Sequence, residues 1–191
     1  MLAQVVAKAF HNLPQSRWLI ADPLSRREIM PGYFRILVDH AMANGAIYTD
    51  RERQSAALWL PIAPGYVQAL ADYDTRLAAA CGQHLDRFRL FDEILDKHHP
   101  HDIAHHHLAV LAVTPAHQGE GIGSALLSSY NETLDRHGIP AYLEAAEPRS
   151  SALYVRHGYR QLTEPFHLPD GPPMWPMWRD PKRPSAVGGH R

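Results

Sequence analysis

A single cysteine, Cys81, stands in a chain of 191 residues. That excludes a disulfide within the chain and any zinc site built on thiolates. Cys81 follows three alanines in a helix-like stretch, a setting that suits a small buried side chain better than a nucleophile. Nowhere do about 18 apolar residues follow one another, so no membrane span is expected. The opening MLAQVVAKAF lacks the basic start and long apolar core of a secretory leader. An excess of positive charge is lacking too: Lys and Arg total 19 against 20 Asp and Glu, a formal net charge of −1. Such a balance offers nothing to nucleic acid or to an anionic membrane surface. No internal repeat is visible. The expectation is a cytoplasmic protein, monomer or homodimer, with neither nucleic acid nor membrane as partner. One domain is expected over 1–180, with 181–191, a run of Pro, Gly and basic residues, as a disordered tail.

What is present is patterned. Leu2, Val5, Val6, Ala9 and Phe10 recur at helical steps, and the pattern stops near Asn12 and Pro14. A second helix is expected from about Leu24 to Ala43, kinked or restarted at Pro31 and closed by Asn44-Gly45. Ala46–Thr49 and Ala56–Leu60 read as a hairpin that Pro61 and Pro64 end. Tyr66–Ala80 and Leu85–Lys97 read as helices. His105–Val113 reads as a central strand, Ile122 to Leu134 as an amphipathic helix with Gly138 behind it, Ala141–Ala145 as a strand, and Ser151–His157 as a short helix. Tyr159–Leu162 and Met174–Trp178 would close the sheet. This order predicts an α/β (α+β) fold, a mixed, partly antiparallel central sheet flanked by helices.

The most informative stretch is Gln118-Gly119-Glu120-Gly121-Ile122-Gly123-Ser124, between a strand and a helix. Free N–H groups and the positive end of the helix dipole suit a phosphate there. The spacing is not that of a dinucleotide fingerprint, which would need glycine at 124, and Gly-Lys-Ser/Thr is missing, so this is not a P-loop. Histidines crowd the stretch before it: His98, His99, His101, His105, His106 and His107. His105 and His107 alternate on a strand as chelating pairs do. No Cys or carboxylate motif fixes a third ligand, and the histidines before the strand read as solvated loop residues, so no metal is expected. Regular alternation would put His105, His107, Ala109 and Leu111 on one face, with His106 and Leu108 on the other.

The run Leu111-Ala112-Val113-Thr114-Pro115-Ala116-His117-Gln118-Gly119-Glu120-Gly121-Ile122-Gly123 resembles the acetyl-CoA loop of the GNAT superfamily of N-acetyltransferases. Leu153-Tyr154-Val155-Arg156-His157-Gly158-Tyr159 is similar to the family's next helix, so 105–160 resembles the cofactor half of that fold. Ala9-Phe10, Pro14 to Arg17, Ala56–Pro61, Tyr142-Leu143-Glu144 and Pro148-Arg149 are similar to puromycin N-acetyltransferase and its actinobacterial relatives. Members usually begin with a strand ahead of the first helix, and here that strand is missing.

The resemblance implies acetyl transfer from acetyl-CoA to a primary amine of a small molecule, an antibiotic or an amino metabolite. The alternatives are a protein or peptide acceptor, or a non-catalytic acyl-CoA-binding regulatory module. It implies an acceptor-side half over 1–100 and an acetyl-CoA-side half over 101–180. Gln118, Gly119, Glu120, Gly121, Ile122, Gly123 and Ser124 would hold the pyrophosphate. Leu111, Ala112 and Val113 would lend backbone groups to pantetheine where the central strands part, and one N–H there would polarise the thioester carbonyl. Ser150 takes a place where members often carry a cofactor-contacting Asn. Tyr154 would protonate the departing thiolate. Three routes compete for the amine proton: His107 on one strand, Glu144 on the next, or a water chain or neutral substrate that needs no side-chain base. Trp18, Tyr33, Phe34, Tyr48, Trp59 and Tyr73 offer apolar surface for the acceptor, and Asp22, Asp39, Asp72 and Asp74 offer charge for its ammonium.

Overall fold

The computed structural model describes residues 1–65 and 72–182. The expected helix from Tyr66 lies outside the described residues up to residue 71, as does the expected tail from residue 183 onward. The elements run α1 (Leu2–Phe10), α2 (Pro14–Leu19), α3 (Pro23–Asn44), β1 (Ala46–Tyr48), β2 (Ser55–Ile62), α4 (Tyr73–Cys81), α5 (Leu85–His98), β3 (His105–Val113), α6 (Ile122–His137), β4 (Ala141–Ala145), α7 (Pro148–Arg156), β5 (Arg160–Gln161), β6 (Phe166–His167) and β7 (Pro173–Arg179). Among the described residues no strand precedes α1, and no helix is long and apolar enough to cross a membrane.

The sheet runs β1-β2-β3-β4-β7-β5, with β6 pairing β7. All pairs are antiparallel except β3 with β4. One face carries α1 to α5: Val6, Leu19, Met30, Phe34, Leu77 and Phe88 pack there against Ala56, Leu58, Val110 and Ala112. The other carries α6 and α7, with Leu127, Leu134 and Tyr154 against Ala57, Trp59, Leu108 and Leu143. Leu127 and Leu134 are almost completely buried, each worth ~1.5–3 kcal/mol over an exposed position.

Prolines account for most departures from the expected elements. Pro14 does not end a helix; it opens α2 at the first helical position, where its missing N–H costs nothing. Six residues are too few for a periodic signal, yet Trp18 and Leu19 are buried. Pro31 lies inside one continuous α3, whose buried Met30, Tyr33 and Phe34 hold it against the sheet. Pro61 does not end β2, which pairs with β3 as far as Ile62 opposite His105; β1 reaches only Trp59, so Pro61 faces no strand on that side. Pro148 starts α7 earlier than expected. There the Glu147 N–H donates to Ser150 Oγ (3.2 Å), and the Ser150 hydroxyl donates to the Glu147 carbonyl (2.8 Å).

Candidate active site

β3 and β4 lie parallel but pair only at His106 with Ala141 and His107 with Tyr142. Beyond these positions they have no register, so residues 108–113 of β3 present an edge with no β4 partner. The expected parting at Leu111–Val113 is therefore present, and it begins just past His107. β3 also carries a bulge. Leu58 pairs with Val110 and Trp59 with Leu108, which leaves Ala109 without a partner on β2. The extra residue shifts the alternation. Leu108 and Leu111 pack toward α6, while Val110 and Ala112 pack toward α1–α5. The expected common face of His107 and Leu111 is thus corrected, because the bulge puts them on opposite faces.

Past the end of β3 the chain enters a glycine-rich turn. Gly119 and Gly121 have φ of +89° and +83°, a region where a side chain is strained, and Gly121 is the N-cap of α6 with no side chain capping it. The N–H groups of residues 119–124 donate to no acceptor among the described residues; the first intrahelical bond is Ala125 to Gly121. Their unmet donors, at the start of a 16-residue helix, make an anion cradle. The Gln118 amide turns back and donates to the Val113 carbonyl (3.0 Å), tying the turn to the strand end. Glu120 is exposed. A Cβ added at Gly123 would meet Val113, Leu111 and Leu153 at ordinary contact distance, so Gly123 packs against apolar side chains. Ser124 Oγ lies 2.6 Å from His157 Nε2. Ser150 is engaged at the α7 cap.

Tyr154 is buried on α7 beside Tyr159, and its hydroxyl bonds to no protein group among the described residues. Burial pushes its pKa above the ordinary phenol value.

The two candidate bases lie in contact with each other. β3 presents His107 and β4 presents Glu144 on the α1–α5 face, and His107 Nε2 lies 2.9 Å from Glu144 Oε2. Burial pushes the Glu144 carboxyl up, but His107 and His99 outweigh it and hold the group well below the usual carboxylate range. An ionised Glu144 makes His107 Nε2 the donor and leaves Nδ1 with its lone pair; no protein group among the described residues bonds to it.

The sequence reading missed His99, which it took for a solvated loop residue. It follows α5 directly and is only 11% exposed in its side chain, against the rings of His105, His107 and Tyr142. His105 Nδ1 donates to the Ile103 carbonyl (2.7 Å), and its Nε2 lies 3.1 Å from His99 Nε2. Burial pushes His105 down to about 4. His106 points to the other face and reaches the Tyr130 hydroxyl at 2.7 Å. Gln15, on the unexpected α2, was also missed. Its amide nitrogen donates to the carbonyls of Ala146 (2.8 Å) and Pro173 (3.1 Å), and its buried Oε1 has no partner.

The expected acceptor side chains are mostly engaged elsewhere. Trp18, Tyr33, Phe34 and Trp59 are core, and Tyr48 lies edge-on to Tyr130. The Tyr73 hydroxyl donates to Asp92 (2.5 Å). Asp22 caps α3, Asp39 pairs with Arg35 and Arg76, and Asp74 lies 3.9 Å from Arg89. Asp72 sits in the left-handed region ahead of α4. Cys81 is buried, as expected.

Comparison with known proteins bears on the fold and the family. Residues 77–161 match the family model described as an acetyltransferase (GNAT) domain. The crystal structure of "histone acetyltransferase HPA2 and related acetyltransferase" from Corynebacterium glutamicum is 27% identical, with a TM-score of 0.67 over 97% of this chain and 92% of that one. Arylalkylamine N-acetyltransferase 2 of Aedes aegypti shares the fold at 11% identity, with a TM-score of 0.53 over 93% and 94% of the two chains. Residues 77–161 are thus similar to a GNAT acetyltransferase domain, and with the Corynebacterium structure they support an enzyme of the N-acetyltransferase type.

Proposed function

Starting from an N-acetyltransferase with these side chains, we propose that it moves an acetyl group from acetyl-CoA directly to a primary amine of a small molecule in the cytoplasm. The observation that carries this reading is the 2.9 Å contact of His107 with Glu144 at the point where β3 and β4 part. Acetyl-CoA supplies the activated acyl group; the protein supplies position and proton transfer.

The N–H groups of residues 119–124 suit the pyrophosphate, and the unpaired edge of β3 at Leu111, Ala112 and Val113 suits the amide groups of pantetheine. One N–H of that edge polarises the thioester carbonyl. On the α1–α5 face, His107 Nδ1 takes the proton of the incoming ammonium. Glu144 fixes the ring through Nε2 and stabilises the cation that forms, so it acts as a positioning residue and not as a rival base. Tyr154, whose hydroxyl has no partner among the described residues, protonates the leaving thiolate.

The similarity to puromycin N-acetyltransferase around Tyr142-Leu143-Glu144 and Pro148-Arg149 puts amino-bearing antibiotics first among acceptors. A peptide amine is second, because the Corynebacterium structure is described as that of a histone acetyltransferase and related acetyltransferase. The test is release of CoA thiol from acetyl-CoA across puromycin, aminoglycosides, polyamines, amino acids and short peptides. Turnover with a small amine supports the reading. Turnover with peptides alone replaces the acceptor class. Stabilisation by acetyl-CoA without any turnover would make the chain a CoA-binding module.

A further inference from the structure

The histidine cluster contains a mismatch that the acetyl-transfer reading does not resolve. The Ile103 carbonyl can only accept, so the His105 proton sits on Nδ1 and its Nε2 carries a lone pair. His99 Nε2, 3.1 Å away, must then be the donor. This leaves the His99 proton on Nε2 and a lone pair on Nδ1. That lone pair points across 3.9 Å at Glu144 Oε1, which is buried and has no hydrogen-bond partner among the described residues. The gap is too long for a hydrogen bond, and a lone pair facing a carboxylate oxygen is repulsive. A cation held between the two atoms would turn that repulsion into attraction. On the other side of the same carboxylate, His107 Nε2 lies 2.9 Å from Oε2.

We propose that His99, His107 and Glu144 form a binding site for a divalent first-row metal ion of the zinc type. Three donor atoms, one from each residue, lie within 4.8 Å of one another, and they come from three separate elements: the segment after α5, β3 and β4. Two imidazoles and one carboxylate are a zinc donor set. At metal–ligand distances of about 2.0–2.2 Å, contraction of the 3.9 Å gap by a few tenths of an ångström brings His99 and Glu144 onto one ion. His105 is the outer partner that a metal-bound imidazole needs, since it accepts from the far ring nitrogen of His99 and fixes the tautomer that offers Nδ1 inward. All three side chains are largely buried, which favours a specific ion over loose surface adsorption.

The site would also act on turnover, a consequence that rests on the base assignment above. A metal on His107 Nε2 moves that ring's proton to Nδ1, and the lone pair that accepts the ammonium proton is lost. Metal binding and base catalysis are therefore mutually exclusive at His107, so the ion is an inhibitor of acetyl transfer and not its cofactor.

The experiment separates the two claims. Protein stripped with a chelator is titrated with Co²⁺ in the absence of acetyl-CoA and acceptor, and the visible absorption of cobalt bound at low coordination number is followed; competition with Zn²⁺ then gives the zinc affinity. The expected result is saturation at one equivalent, abolished or weakened at least tenfold in His99→Ala and in Glu144→Gln, and retained in His117→Ala and His137→Ala. Circular dichroism confirms that each variant is folded. Absence of the cobalt bands, or bands that persist in the His99→Ala, Glu144→Gln double variant, would overturn the proposal. Either result leaves the thiol-release assay on metal-free protein to decide the acetyltransferase reading by itself.

Discussion

If His107 and Glu144 work as one unit, removing either should remove most of what the pair supplies. Glu144→Gln is the sharper perturbation, because the amide keeps the shape and its oxygen can still accept from His107 Nε2. What disappears is a largely buried negative charge 2.9 Å from the ring that must become a cation. A positioned general base is worth roughly 10²–10⁴ in rate, or about 3–5 kcal/mol of barrier. Glu144→Gln and His107→Ala are each expected to lower kcat within that range. The double variant should fall little below the worse single one, since the second change removes a partner of something already gone. Stopped assays of thiol release at saturating acetyl-CoA give kcat for all four proteins, and the thermal shift with acetyl-CoA reports whether the cofactor side is intact. Losses that multiply in the double variant would show two independent bases, and a Glu144→Gln enzyme at full rate would remove the carboxylate from the mechanism.

Tyr154→Phe should lower turnover at least tenfold while acetyl-CoA still raises the melting temperature as in the parent; equal losses in both would deny the hydroxyl its acid role. Gly121→Glu should abolish that thermal shift, because the position has φ of +83° and a carboxylate would stand among N–H groups suited to phosphate; a retained shift would refute the cradle. Burial raises the Asp92 carboxyl from 3.8 to about 6, a shift worth on the order of 3 kcal/mol. The folded state holds that proton more tightly than the unfolded chain does, so the associated stability is fully present below about pH 4 and lost as pH rises through about 6. Asp92→Asn is therefore expected to stabilise the protein at pH 8 by up to about 3 kcal/mol, with the gain fading toward pH 4 in denaturant titrations. A gain independent of pH would mean that the charge is not the cause.

The sequence made the strands legible where β-branched and leucine runs meet clear stops: β3 and β4 have the boundaries that the residues suggest. It also exposed the glycine turn, since alternating glycines have few other uses between a strand and a helix. What escaped was whatever depends on neighbours remote along the chain. His107 and Glu144 were both visible but read as rivals, because nothing local says that β3 and β4 lie side by side. His99 looked like a loop residue, and only tertiary packing brings it to Glu144. α2 is too short to show a period, and its Gln15 is held by carbonyls more than 100 positions away. The bulge at Ala109 left no mark in composition, so strict alternation carried Leu111 to the wrong face.

That bulge bears on how the chain can change by descent or by engineering. Ala109 acts as a phase boundary in β3: upstream the odd-numbered residues face α1–α5, and downstream the even-numbered ones do. Loss of this one alanine would put both stretches into a single phase. Either His107 would turn away from Glu144, or Val110 and Ala112 would leave the core that α1–α5 cover. No point substitution has this effect, because none alters the count. The length of β3 is thus under tighter constraint than the identity of its residues, and single-residue deletions across 105–113 should be far less tolerated than conservative replacements at the same positions.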